Sequence, residues 1–119
     1  MKLERLFAMK FSSLYPSYLK KVTSKQRTQD ELDQVIRWLT GYTPAAFRKQ
    51  LAREVDIRTF FDESPKWNPH AELVTGVVCG VRVEEVPDPL MRKIRRLDKL
   101  VDELAKGRPM AKVLRAQPQ

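Results

Sequence analysis

At 119 residues, with a mean hydropathy of −0.49, the chain is long enough for one domain (residues 1–119) with a modest core of its own. Its one cysteine, Cys79, excludes an intramolecular disulfide and suits a reducing compartment. The net charge of +8 sits mainly on two basic ends around a mildly acidic middle, so the ends are expected either to fold back onto the middle or to face an anionic partner.

The first element is ambiguous. Phe7, Met9 and Phe11 alternate, which favours a short extended segment, although a helical turn fits nearly as well. Lys2, Glu4, Arg5 and Lys10 break up the apolar character here, so no signal peptide is expected. No stretch approaches the roughly 18 apolar residues of a membrane span. The expected location is therefore the cytoplasm, with no membrane partner.

In SSLYPSYLKKV, Tyr15, Tyr18, Leu19 and Val22 fall on one helical face, with Pro16 expected in the first turn and Ser12 or Ser13 as cap. Thr28 and Glu31 make a capping box before Leu32, Val35, Ile36 and Leu39, and Gly41 is placed to end that helix, predicted over 29–40. Thr43-Pro44 opens another helix with Phe47, Leu51 and Val55 on its buried side. Asp56 can cap a shorter one carrying Ile57, Phe60 and Phe61, closed by Pro65.

Asn68-Pro69 repeats the cap-then-proline signal, and Leu73, Val74, Val77, Val78 and Val81 then form a helical stripe. The many valines argue for a strand instead. Helix is the favoured reading over 73–86, with a hairpin at 77–85 as the alternative. Gly76 and Gly80, one turn apart in the helical reading, would leave a smooth groove for a neighbouring helix. Asp88-Pro89 starts the last long helix, whose seam runs through Leu90, Ile94, Leu97, Val101 and Leu104 to a stop at Gly107. Pro109 and Met110 begin a terminal turn with Val113 and Leu114, and residues 116–119 are expected to fray. The expected fold is mostly α: one compact domain of five to seven short helices, with a short strand or hairpin as the main alternative at either ambiguous segment.

No arrangement of groups that performs chemistry is legible. His70 stands alone just inside a helix start and reads as a surface or capping residue. There is no histidine pair and no cysteine pair, so no metal and no cofactor are expected. Cys79 falls in the valine stripe and is expected to be a buried spectator, although Arg82 one turn on could activate a thiolate. Glu84 and Glu85, as neighbours on a helix, would point apart rather than face each other as acid and base.

Arg92, Lys93, Arg95 and Arg96 are the best binding candidates. They occupy the early turns of the last helix, while Asp98, Asp102 and Glu103 follow, an order that opposes the helix dipole. Pairing with Glu84, Glu85 and Asp88, and along the helix as Arg95–Asp98 and Lys99–Glu103, would offset that cost. A phosphate-bearing partner would offset it too. Tyr15 and Tyr18 beside Lys20 and Lys21 form an aromatic and basic patch that could bind a single strand, although tyrosines at this spacing commonly line a core.

The stretches FSSLYPSYLKKV, RTQDELDQVIRWLTGY, NPHAELVTGVVCGVRVEEV and DPLMRKIRRLDKLVDELAKG together cover nearly the whole chain. In these the chain resembles a family of small bacterial proteins known as domain of unknown function 2200. The resemblance implies a stand-alone bacterial cytoplasmic protein. It implies no activity and supplies no catalytic residues; departures are expected at the extreme N-terminus and after Arg115. The leading expectation is a non-enzymatic binding or interaction module, with a homodimer as one form. The alternatives are nucleic-acid binding through the basic ends, and an enzyme for a small anionic substrate near Cys79, Arg82 and Glu84.

Overall fold

The computed structural model describes residues 2–115; the expected frayed tail at 116–119 lies outside them. Seven α-helices occur in chain order among these residues: α1 (Lys2–Phe7), α2 (Phe11–Thr23), α3 (Gln29–Thr40), α4 (Pro44–Ala52), α5 (Ile57–Asp62), α6 (Pro89–Ala105) and α7 (Met110–Val113). Between α5 and α6 lie a 3-10 turn (Pro69–Leu73), a hairpin of β1 (Val77–Val78) and β2 (Val81–Arg82), and a second 3-10 turn (Val83–Glu85). The strands are antiparallel, with Val78 opposite Val81.

α3 keeps its predicted bounds because its signals are local. The Thr28 hydroxyl accepts from the Glu31 amide at 3.1 Å, and the Glu31 carboxylate accepts from the Thr28 amide at 3.0 Å. Arg27 adds two further donors to the same carboxylate, at 3.0 and 2.9 Å. The Arg27 guanidinium, with the Thr28 amide behind it, pulls the Glu31 pKa from 4.5 to about 2. A lowered folded pKa stabilises the fold above the unfolded value, and that contribution drains away as pH falls from about 4.5 toward 2. Glu31→Gln is expected to flatten this limb of the stability profile, followed by urea midpoints at stepped acid pH. An unchanged slope would show that the bidentate pair does not persist in solution.

α2, α3 and α6 pack together through Tyr18, Val22, Leu32, Val35, Ile36, Leu97, Leu100, Val101 and Leu104, all buried. The other side of the core is aromatic. Phe60 stacks on Phe11 with ring centroids 3.7 Å apart, and Phe47, Phe61 and Tyr42 surround it. Thr43 and Asp56 cap α4 and α5 as their spacing predicts, through the Ala46 and Thr59 amides.

Three local expectations are corrected. First, residues 2–7 are helical rather than extended. The alternation reflects a sharp link in which Phe7 ends one helix, Phe11 begins the next, and Met9 stays 43% exposed between them. Only Lys10 is extended, bridging to Asp56, with the Ile57 amide donating to the Met9 carbonyl at 2.7 Å. Second, α2 begins at Phe11 without a side-chain cap, so Ser12 and Ser13 are not caps and Pro16 lies inside the helix. Pro16 is exposed, and the Ser12 carbonyl that its missing amide would have bonded lies on a half-buried residue near solvent.

Third, residues 73–86 are not a helix. Asn68-Pro69 starts only a 3-10 turn, and the valines go to the hairpin and the second turn. Cys79 (φ 51°) and Gly80 (φ 76°) form its two-residue loop. Positive φ at both positions is the primed turn whose twist matches paired strands. Gly80 is therefore a turn glycine whose Cβ would meet nothing within 4 Å, and Gly76 (φ 105°) lies at a bend before β1 where a Cβ would meet only the end of the Lys99 side chain, so the two make no helix-packing groove. A larger residue at Gly80 would cost stability through its backbone conformation, not through overpacking. Cys79, expected to be buried, is exposed because the turn carries it outward.

Candidate functional site

The sequence-predicted basic residues divide between two sides of α6. On one side α6 faces α2. The Tyr18 hydroxyl donates to Asp98 at 2.5 Å, Arg95 pairs with Asp98 at 3.4 Å, and Lys21 pairs with Asp102 at 3.1 Å. Burial holds the Asp98 carboxyl above its usual range, and burial with the adjoining carboxylate raises the Tyr18 phenol as well. Tyr15 donates to Asp33 in the same manner and receives a hydrogen bond from Gln29. Both tyrosine rings are buried, so neither is laid out for a base to stack on. Lys20, on the same helix, is exposed.

The other side of α6 faces the 3-10 turns. Arg92 donates to the Val86 carbonyl at 2.7 Å and Arg96 to the Val74 carbonyl at 3.3 Å. These backbone acceptors replace the carboxylate partners expected from the sequence: Asp88 is occupied in capping α6 at Met91, and Glu84 accepts from the Gly76 amide at 2.9 Å. The Arg95–Asp98 and Lys99–Glu103 pairs do form, the latter at 3.9 Å. Arg92 and Arg96 therefore lie on a different side of α6 from the Asp102 that holds Lys21.

Much of the C-terminal basic charge is used internally. Glu103 is buried, and it accepts two hydrogen bonds from Arg115 at 2.7 Å and an ion pair from Arg108 at 3.1 Å. That carboxylate draws Arg108 and Arg115, on either side of α7, back onto α6.

Arg82 and Glu84 lie together, 3.5 Å apart on the surface, with Cys79 at the hairpin tip. Beside them an open groove of about 520 Å³ runs between α1, the hairpin and the start of α6. Leu3, Val81, Val86, Pro87 and Met91 line it with apolar surface, and Arg82, Arg95, Glu85 and Asp88 add both signs of charge. Leu3 on its wall is 40% exposed, and Val77, paired with the groove residue Arg82 in the hairpin, is 47% exposed, so apolar surface continues from the groove onto β1. Sequence reasoning missed this groove, because Leu3 and Met91 meet only through the tertiary fold. Among the described residues, no helix is long and apolar enough to cross a membrane.

The architecture is that of a small helical protein carrying one two-stranded hairpin against its longest helix. The family model described as an uncharacterized protein conserved in bacteria, DUF2200, matches residues 5–115, and the chain belongs to that family. It is similar to the crystal structure of the uncharacterized protein SP1917, at 44% identity and a TM-score of 0.88, over 93% of this chain and 91% of that one. The comparison with curated proteins found no match.

Proposed function

We propose that this protein is a non-enzymatic interaction module that associates with a second copy of itself through the groove between α1, the hairpin and α6. The carrying observation is the groove's composition: apolar walls at Leu3, Val81, Val86 and Met91, bordered by two arginines and two carboxylates. In a two-fold contact each residue i meets j while j meets i, so a rim of both signs complements itself. Arg82 of one copy then faces Glu85 of the other, while the exposed Val77 supplies the apolar ridge that enters the groove. Its proposed setting is the bacterial cytoplasm, where the exposed Cys79 would stay reduced.

Sedimentation velocity over a dilution series tests this. The natural chain is expected to shift from dimer to monomer on dilution, whereas Val81→Glu and, separately, Arg82→Glu remain monomeric with unchanged circular dichroism. A natural chain that is monomeric up to about 200 µM, far above the micromolar range of specific association, would overturn the reading. A dimer untouched by both variants would move the interface elsewhere.

A further inference from the structure

We propose that a second cavity, on the side of α6 away from α2, is a binding site for a phosphoryl group, borne by a small ester or as the free anion. The cavity is about 210 Å³, and Trp67, Glu72, Arg92, Lys93 and Arg96 are among its lining residues. Three cations therefore face one carboxylate across a space that suits a small group rather than a strand.

None of the three cations makes an ion pair among the described residues. Arg92 and Arg96 each spend one donor on a backbone carbonyl, which fixes the guanidinium and leaves its other N–H groups available. A braced, planar fork is the geometry that recognises phosphate oxygens in pairs. Lys93 lies over the Trp67 ring at 4.7 Å, held by the ring face rather than by a carboxylate. Trp67 is itself fixed edge-on against Phe61, with centroids 6.1 Å apart. The cations are thus positioned by neutral groups, with no carboxylate at ion-pair distance among the described residues.

Their mutual repulsion is visible in Arg96, whose guanidinium is held below its usual pKa first by burial and then by Arg92, against the opposing pull of Glu72 and Glu84. An anion between the two arginines relieves that repulsion. Glu72 is exposed and can turn toward solvent, or accept from a protonated phosphate oxygen or a hydroxyl of the ester. The site is distinct from the dimer groove, since the two cavities share no lining residue and meet only where Arg92 reaches the Val86 carbonyl.

The test follows the arginine Nε–H signals of the full chain by NMR during titration with inorganic phosphate, with phenyl phosphate, and with a short DNA duplex. Either phosphate probe is expected to shift Arg92 and Arg96 saturably, at a Kd of about 1 mM or tighter. Lys93→Gln, which breaks no backbone contact, is expected to weaken that binding about tenfold, the range of one charge-assisted hydrogen bond. The tighter of the two probes identifies the source, free anion or ester, and either bears the proposal out. No saturable shift up to about 20 mM, well beyond that affinity, would overturn it. So would binding indifferent to Lys93→Gln, or a duplex that binds where both small phosphates fail.

Discussion

Phe60→Ala is expected to cost ~3–5 kcal/mol, the range for removing a large aromatic side chain from a packed core. Phe60 is fully buried, and its ring contacts Phe11, Tyr42, Phe47 and Phe61, which come from α2, the α3–α4 link, α4 and α5. One truncation therefore opens a cavity shared by four segments that cannot collapse around it together. Native domains hold only ~5–15 kcal/mol in all, so the loss approaches the total for a chain this small. Phe60→Leu keeps most of the volume and is expected to lose much less. Urea titration by circular dichroism measures both, and equal midpoints for the two variants would show that ring packing is not what holds the segments together.

Gly41→Ala is the second large effect, and it has two separable parts. Gly41 ends α3 at φ 81°, where a Cβ costs ~1–2 kcal/mol for the left-handed backbone. That Cβ would also lie 2.6 Å from the Lys66 carbonyl oxygen and 2.8 Å from its nitrogen. These are backbone atoms, tied to α3 by the Lys66 amide donating to the Thr40 carbonyl at 3.2 Å, so moving them adds ~1–3 kcal/mol. Gly107 provides the control. Its φ is 91° but a Cβ there meets nothing within 4 Å, so Gly107→Ala bears the backbone cost alone. Thermal melts of the two variants are expected to differ by that second part, and equal losses would show that Lys66 yields freely.

The legible elements are those whose signals are local. α3 announces itself through Thr28, Glu31 and Gly41, and α6 through Asp88-Pro89 and an unbroken apolar seam; both take their predicted positions. At 73–86 valine and glycine serve either structure, so the sequence favours a helix there while leaving open the hairpin that the structure adopts. Positive φ at both Cys79 and Gly80 makes the two-residue hairpin turn, and a cysteine at the first of these positions carries no turn signal in the sequence. The same turn explains why Cys79 is exposed although its neighbours are apolar.

The basic residues of α6 were legible as a cluster but not as two faces. Asp98 and Asp102 draw Arg95 and Lys21 to the α2 side, and backbone carbonyls hold Arg92 and Arg96 on the other. A main-chain acceptor leaves no trace in residue identity, so the sequence points to carboxylate partners instead. Trp67 carried no helical or capping signal, and its pairing with Lys93 depends on how the loop after α5 meets α6.

Residue-resolved NMR over a dilution series tests self-association through the groove most directly. Amide and methyl signals of Leu3, Val81, Val86 and Met91 should move with protein concentration, and the amides of Lys93 and Arg96, which line the other cavity, should stay still. Signals that do not move anywhere up to about 1 mM, the weak limit for a specific contact, would contradict it. So would movement confined to a face that excludes the groove.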